Sequence, residues 1–492
     1  MSLSSVSKER LNKIEELKKT GQPVYPSKTD RSLDIGQIIE KQAEYLNNKT
    51  ALIAAGRVMA QRKMGKLVFM QIVDSTGKLQ LLAKKESLGD KFKELKLLDI
   101  GDFIEATGSL MKTKTGELTI EVQDWKVLSK SIRPLPEKFH GLKDQEERYR
   151  RRYIDLLVNP QVRDVFAKRS LFINNLRNYL CSQGFLEVET PILQPIAGGA
   201  IAEPFVTHHS ALDIDLYLRI ATELYLKRLI VGGLDKVFEI GPDFRNEGIS
   251  TQHLQEFTQC EFYKAYANYE DLMVFTEELF SDVLQKTFDT LVFEYGDMKL
   301  DFTPPWPRLE YGELILDKTG IDIFSLKSDV KKLRKLIKKN KLDVEDKPAY
   351  GFGKLVDNIY KHYVRSTVIQ PSFLMHHHID LLPLAKKKED DPNKAESFQL
   401  LAAGGFEIVK AYSELNDPQD QKQRFEEQSI LKNDDPEAHA FDKDFIEALE
   451  YGMPPTGGWG MGIDRIMMIL TNQPSVRDVV LFPTLKPPDK NK

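Results

Sequence analysis

The sequence predicts an α+β chain: a small N-terminal β-barrel followed by a larger domain built on an antiparallel sheet flanked by helices. Three observations predict it. Five short β-type runs crowd together between residues 51 and 130, strand- and helix-type runs alternate after residue 161, and 492 residues with 41% hydrophobic content can supply at least two cores.

Taken in order, residues 1–50 form a helical extension. Within it KERLNKIEELKK (8–19) sets Leu11, Ile14 and Leu17 at helical spacing among lysines, a basic amphipathic helix that is either a solvated cap or a surface touching RNA. Residues 51–130 hold the runs ALIAAGRVMAQ, KLVFMQIVD, KLQLLAK, DFIEATGSLMKT and ELTIEVQDWKVL, separated by turn signals at Met64-Gly65, Ser75-Thr76-Gly77 and Thr115-Gly116. Five strands at this spacing suggest an OB-fold, whose exposed strands and loops commonly bind single-stranded nucleic acid. Phe69 could stack on a base and Gln80 hydrogen-bond its edge; by periodicity alone, Phe69 in the run LVFM reads equally as core.

Residues 131–160, with Pro134, Pro136 and the run DQEERYRRRY, read as a linker feeding a helix. From 161 to 492 the sheet domain follows. NLRNYLCSQGFLEVETPIL gives a helix ending at Gly184 and a strand closed by Pro191; strands LYLRI, KVFEIG and EFTQCEFYKAY alternate with helices such as TELYLKRLIVG. A segment at about 290–350 breaks this rhythm. Its lysine-rich stretch 325–343 is a solvated face or an inserted helical module touching RNA. Three histidines at 376–378 on an extended segment point to alternate faces and do not converge on one ion, so no metal is assigned to them.

A formal net charge of −4 speaks against a uniformly basic nucleic-acid binder, although a local basic face can sit on an acidic chain. Cys181 and Cys260 lack paired or metal-ligand spacing, so neither a disulfide framework nor structural zinc is expected. No apolar run approaches a membrane span and Met1 to Arg10 is polar, which makes the cytoplasm the expected compartment.

The chemistry is concentrated in two distant motifs. Phe244-Arg245-Asn246-Glu247-Gly248 continues through His253, Phe257 and Glu261-Phe262-Tyr263; Gly458-Trp459-Gly460-Met461-Gly462-Ile463-Asp464-Arg465 follows two hundred residues later. An arginine fork can hold a carboxylate and a phosphate oxygen together, and a glycine-rich run lets backbone approach a ligand. Neither a P-loop nor a Rossmann fingerprint is present, so a nucleotide would have to bind an antiparallel surface.

In this order the two motifs resemble the second and third signature motifs of class II aminoacyl-tRNA synthetases, and their wording is similar to the lysyl-tRNA synthetase family. The resemblance covers about residues 50–485, weakest at 290–350. It implies an anticodon-binding OB-fold followed by a class II catalytic domain. It also implies activation of L-lysine with ATP and Mg2+ to lysyl-adenylate, transfer to the 3′ end of tRNA(Lys), and a homodimer built on the passage closed by Pro191. Residue by residue, Arg245 would bridge the lysine carboxylate and the α-phosphate, and Arg465 would hold the γ-phosphate. Phe257 would stack on adenine, with Glu247 near its amine, His253 near the terminal phosphates, Gly462 beside ATP and Glu407 on magnesium. Gly198-Gly199-Ala200 and Glu223 would surround the α-amino group; Glu414 and Tyr263 would meet the ε-ammonium, with Glu261 and Tyr412 completing the pocket. Phe69 and Gln80 would read the anticodon.

Three positions depart from the family pattern. Lys410 stands where an asparagine helps bind the substrate carboxylate, Gln399-Leu400 stands where a second magnesium-ligating glutamate is usual, in a stretch one residue longer, and His253-Leu254-Gln255-Glu256-Phe257 replaces His-Asn-Pro-Glu-Phe and so removes a rigid proline. Aspartyl- and asparaginyl-tRNA synthetases would share the architecture, but their pockets should present cations where this chain offers Glu261 and Glu414. Relatives that attach lysine to a protein lack the barrel, and a non-catalytic RNA-binding relative would not need both motif arginines.

Overall fold

Strand pairing closes the first part of the chain into a barrel. β1 (Ala51–Met64), β2 (Leu67–Val73), β3 (Lys78–Lys84), β4 (Phe103–Lys112) and β5 (Leu118–Ser129) join in the order β1-β2-β3-β5-β4, and β4 pairs back with β1. Along β2, Val68, Met70 and Ile72 turn into the barrel while Leu67, Phe69 and Gln71 stay half-exposed outside it, the alternation that a pleated strand imposes. The computed structural model describes residues 4–136, 142, 144–200, 202–348, 350–431 and 441–487, with backbone alone for 428–431. Residues 137–141 and 143 of the expected linker lie outside that description.

The chain divides into two compact units, 1–143 and 144–492. In the first, the helix Ser5–Lys19 buries Ile14 and Leu17 in the apolar cluster of the barrel with Leu95 and Trp125. Arg10 is also buried and donates to the carbonyl oxygens of Ser131 and Ile100 at 2.9 and 3.1 Å. One face of this helix is therefore core, and only the opposite face is solvated.

The second unit begins earlier than the sequence suggests. Residues read as linker form the short helices Gln145–Arg150 and Arg152–Val158. Buried Arg152 pairs with Asp155 at 2.8 Å and donates to the carbonyl oxygens of Arg477 and Leu481, which fastens the run to the C-terminal segment. The long helix Pro160–Ser182 starts on its proline and stops before Gly184, whose φ of +80° ends it.

The strands that follow are β6 (Leu186–Glu187), β7 (Leu193–Gln194), β8 (Val206–His209), β9 (Ile214–Leu218), β10 (Lys236–Phe244), β11 (Glu256–Ala265), the hairpin β12 (Val292–Tyr295) and β13 (Met298–Asp301), then β14 (Arg308–Glu310), β15 (Ser372–Met375), β16 (Ser397–Ala402), β17 (Phe406–Ser413) and β18 (Thr456–Gly462). β7, β9 and β8 make a small sheet of their own. The main sheet has eight strands in the order β14-β15-β16-β17-β18-β11-β10-β6, antiparallel through its middle with a parallel pair at each edge.

One face of this sheet is packed. Trp459 and Met461 of β18 and Phe262 of β11 point into a cluster shared with the helices Pro160–Ser182 and Tyr269–Phe288, and Phe262 stacks on Trp459 at 4.7 Å between centroids. The segment at 290–350 contributes to a second cluster, in which its Tyr311, Leu333 and Ile337 pack with Ile359 of the helix Phe352–Tyr363 and with Leu374 and Leu401 of the main sheet. Its helix Val330–Lys339 turns Leu333 and Ile337 inward and leaves Lys331, Lys332, Lys335, Lys338 and Lys339 exposed. The three adjacent histidines separate: His376 bonds Glu310 and Tyr269, His377 reaches Ser397 and Gln399, and His378 lies against Phe324 and Phe352.

Candidate active site

The other face of the main sheet holds a cavity of about 470 Å³, within the range of small-molecule sites. Of the residues of the second unit proposed from the sequence, all but Gly198 line it, from Gly199 and Glu223 to Gly462 and Arg465. Strand register brings them together. Glu239, Glu261, Gly460, Lys410 and Gln399 stand in one row across β10, β11, β18, β17 and β16; Tyr263, Gly458, Tyr412 and Ser397 form the next.

The glycines of GWGMG alternate with core residues. Trp459 and Met461 anchor β18 below, so Gly458, Gly460 and Gly462 form a bare floor between the walls. A Cβ at Gly458 would collide with the Glu414 carboxylate and the Tyr263 ring; at Gly460 it would meet Gln259 Nε2 at 3.1 Å. Gly199, at φ +86°, closes one side, where a Cβ would come within 3.2 Å of those of Ala221 and Glu223.

One end of the cavity is acidic and walled by aromatics. Glu414 is buried against Lys227 Nζ, and the same Nζ donates to Glu223 Oε1 at 2.6 Å, which also accepts from the Tyr412 hydroxyl at 2.8 Å. Glu261 accepts from Thr222 Oγ1 at 2.6 Å and from the Gln259 amide. Burial, together with Asp243 and Glu223, pushes the Glu261 carboxyl up to about 8. Burial raises the Glu414 carboxyl, and the Lys227 ammonium in direct contact with it pulls it back toward the ionised form. Lys227 and Asp243 escaped sequence reasoning. The one signal for Lys227 was its i,i+4 spacing from Glu223; the one for Asp243 was its place two residues before Arg245 on a strand. Burial raises the Asp243 carboxyl to about 6 against the pull of Arg219 and Arg245.

The other end is cationic. The Arg245 guanidinium lies 5.0 Å from the Phe257 ring centre, and its buried Nε has no hydrogen-bond partner among the described residues. Arg465 Nη2 meets His253 Nε2 at 2.8 Å, and His253 Nδ1 meets Ser250 Oγ at 2.9 Å. Gln255, standing where the family carries proline, ties this loop: its carbonyl accepts from Arg245 N at 2.8 Å and its Nε2 donates to the Glu247 carbonyl at 3.3 Å. Glu247 itself is exposed at the rim.

A β-bulge explains Glu407. Leu400 pairs with Val409 but Leu401 pairs with Glu407, so Ile408 is the extra residue; it drops into the core and Glu407 joins Lys410 and Tyr412 on the cavity side. Burial raises the Glu407 carboxyl, but Arg365, Arg465, Lys361 and Lys410 outweigh it and hold the group below its usual range. Arg365 Nη2 and Arg465 Nη1 stand 3.7 and 4.0 Å from its oxygens. The Lys410 side chain makes no ion pair or hydrogen bond among the described residues; its enclosure within the cavity lowers the ammonium, helped by Arg245 and opposed by Glu223 and Glu407. The Gln399 side-chain oxygen Oε1 accepts from His377 Nε2 at 3.1 Å, which fits the neutral imidazole that burial enforces, lowered to about 4.

In the barrel unit, register sets Phe69 opposite Leu82 and Gln71 opposite Gln80, so Phe69 and Gln80 are diagonal neighbours on the outer face. Phe69 is therefore outside the barrel core. Gln80 donates to Thr119 Oγ1 at 2.9 Å, and exposed Arg62, paired with Phe69 across β1, adds a cation that sequence reasoning missed.

Comparison with known proteins follows the same division. Residues 144–486 match the family model of tRNA synthetases class II (D, K and N), and residues 53–128 match the OB-fold nucleic acid binding domain. Similar curated proteins include the lysine–tRNA ligase of Halalkalibacterium halodurans, 47% identical over 98% of this chain and 96% of the relative. That of Pelotomaculum thermopropionicum is 48% identical over 99% and 96%, and that of Syntrophomonas wolfei 47% identical over 99% and 98%. The barrel, the open-faced sheet and these full-length likenesses agree: the chain belongs to the class II tRNA synthetases, within the lysine–tRNA ligase family.

Proposed function

We propose that the chain joins L-lysine to ATP, forming lysyl-adenylate and pyrophosphate, and then passes the lysyl group to the 3′ end of tRNA(Lys). One observation carries this reading: a single cavity joins a buried acidic, aromatic-walled end to an arginine end across a floor of backbone. The substrate carboxylate is itself the nucleophile. Its oxygen attacks the α-phosphorus as the bond to the β-phosphate breaks and pyrophosphate leaves; a terminal tRNA hydroxyl then attacks the carbonyl and AMP leaves. No side-chain nucleophile is needed, and the protein's task is alignment and positive charge.

Arg245 bridges carboxylate and α-phosphate, with Lys410 adding charge beside it. Phe257 stacks on adenine beneath Arg245, Glu247 receives the adenine amine, and His253 with Arg465 takes the terminal phosphates at the edge of Gly462. At the far end Glu414, Tyr263, Glu261 and Tyr412 enclose the lysine side chain, and Gly199 and Glu223 border the α-amino group. A neutral amino acid would leave a carboxylate buried and unpaired there, which sets specificity.

Magnesium fits this donor set. Glu407 offers one hard, ionised oxygen ligand facing the phosphate end, and a Mg2+ shell is commonly completed by substrate phosphates and water. When bound, the ion offsets phosphate charge. Gln399 leaves Glu407 as the carboxylate ligand of this region.

Phe69 and Gln80 read the anticodon from the outer face of the barrel. A homodimer is supported by exposed Leu193, Val206, Leu212 and Ile214 on and beside the small sheet, with Leu186 and Ile192 near it. Free thiols at Cys181 and Cys260 suit the cytoplasm, and no described helix is long and apolar enough to cross a membrane.

The test is ATP–pyrophosphate exchange with each amino acid in turn. Exchange should depend on lysine and magnesium, and Arg245→Ala should abolish it with little change in melting temperature. Exchange driven by aspartate or asparagine, or robust exchange by the alanine variant, overturns the reading.

A further inference from the structure

Lys227 has no exposed side-chain surface, and it lies behind the cavity wall. A cation there has lost its hydration and has to be matched by charge. It is matched from two sides. Nζ reaches Glu223 Oε1, one helical turn back, and Glu414, which follows β17. The rings of Tyr263, Tyr412 and Phe445 stand 6.0, 5.8 and 5.8 Å away and face its charge. Glu261 completes the titratable groups around the pair. The next residue, Arg228, takes Asp442 at 2.7 Å and Asp444 at 3.1 Å, so these two acids at the start of the helix Lys443–Glu450 do not compete for Lys227.

The arrangement has a back and a front. Lys227 and the Tyr412 hydroxyl fill Glu223 Oε1 from behind. Glu414 Oε1 lies over the Gly458 floor and has no hydrogen-bond partner among the described residues. Three buried carboxyl groups, Glu223, Glu261 and Glu414, meet at this end of the cavity with one ammonium among them. Glu261 is raised to about 8 even with that ammonium present; without it Glu414 would take up a proton as well, because like charges at low dielectric cannot all ionise.

We propose that Lys227 is the positioning residue of the amino-acid end: a resident ammonium that holds Glu414 and Glu223 in place as carboxylates, so that the outer oxygen of Glu414 is ready for the ammonium of the ligand. This rests on the lysine-activating function proposed above. With Lys227 present, binding needs no proton to leave Glu414. Without it, lysine has to displace one to solvent.

Lysine binding to the wild-type enzyme and to Lys227→Met is followed by calorimetry in two buffers of different ionisation enthalpy, and KM values are taken from pyrophosphate exchange between pH 7 and 9. The variant should release about one proton more per lysine bound than the wild type at pH 7. Its KM for lysine should be raised and should fall back by about tenfold per pH unit as the pH rises toward the new carboxyl pKa. KM for ATP should stay unchanged, and Lys227→Arg should restore both readings. If the methionine variant does not fold, the same readings are taken on Lys227→Gln, whose amide keeps a hydrogen bond without the charge. A variant with the wild-type proton count and a parallel pH profile, or with tighter lysine binding, overturns the proposal. A wild-type enzyme that gives no heat with lysine would instead sink the functional reading beneath it.

Discussion

Arg465 Nη2 and His253 Nε2 lie 2.8 Å apart, and since a guanidinium can only donate, the histidine must accept at that nitrogen and carry its proton on Nδ1, toward Ser250. The motif arginine is thereby oriented by a neutral imidazole 212 residues earlier in the chain. Burial, then Arg465 and Arg365, lower the histidine below its ordinary value and keep it neutral.

His253→Ala should therefore release Arg465 toward Glu407 and raise KM for ATP by about tenfold or more, the worth of one hydrogen bond to a charged group. KM for lysine and the melting temperature should change little, because His253 stands at the phosphate end of the cavity and belongs to none of the apolar clusters. In the wild type, KM for ATP should stay level as the pH falls through 6.5. A rise beginning there would mean that His253 is not held neutral.

Lys410 shares a row with Glu261 and Gln399, separated from Glu261 by the bare Gly460. Lys410→Asn should retain activity, since an amide at this point can hold the same carboxylate, while Lys410→Glu should be inactive in exchange. Normal lysine activation by the glutamate variant would show that the ammonium plays no part at the reacting centre.

The carboxyls of Glu261 and Asp243, raised to about 8 and about 6 chiefly by burial, make stability depend on pH. Between their unfolded values and these raised ones the native state binds more protons than the unfolded state. Stability from these groups is present at low pH and declines as the pH rises through the window from about 4 to 6 for Asp243 and about 4.5 to 8 for Glu261, by at most about 1.4 kcal/mol per unit for each group. Glu261→Gln should flatten this decline in melting experiments across that range. An unchanged slope would assign it elsewhere.

Phe69→Ala should weaken lysylation of tRNA(Lys) by roughly tenfold to a hundredfold, the value of about 1–3 kcal/mol for one stacked base. Pyrophosphate exchange and melting should be unaffected, because the ring stands outside the barrel core. Arg62→Ala should weaken tRNA binding less and reduce its salt dependence. Loss of both tRNA charging and exchange in Phe69→Ala would remove the anticodon role.

Much of this was legible because alternation was legible. The strands of the barrel follow their apolar runs, and GWGMG states its own two faces once β18 is recognised as a strand. Other features depended on register between distant strands. Glu407 reaches the cavity through an extra residue at Ile408, a shift of phase that no local pattern announces. Lys227 lies on a helix that the sequence showed only as TELYLKRLIVG, and it is buried because Glu223 and Glu414 meet it from different elements. Arg152 and Asp155 looked like linker charges until the C-terminal carbonyl groups closed over them. Gln255 had only a missing proline to mark it, and its hydrogen bonds replace the stiffness that a ring would have supplied.

The bare glycine floor has a consequence for how this site can evolve. Its shape is written in main-chain amides held by ladder hydrogen bonds on both sides, and no exchange of side chains at Gly458 can reshape it without striking Glu414 or Tyr263. Selection for a different amino acid therefore has to act through the walls, on β11, β17 and the helix Glu223–Val231, while the plane that supports the ligand stays fixed.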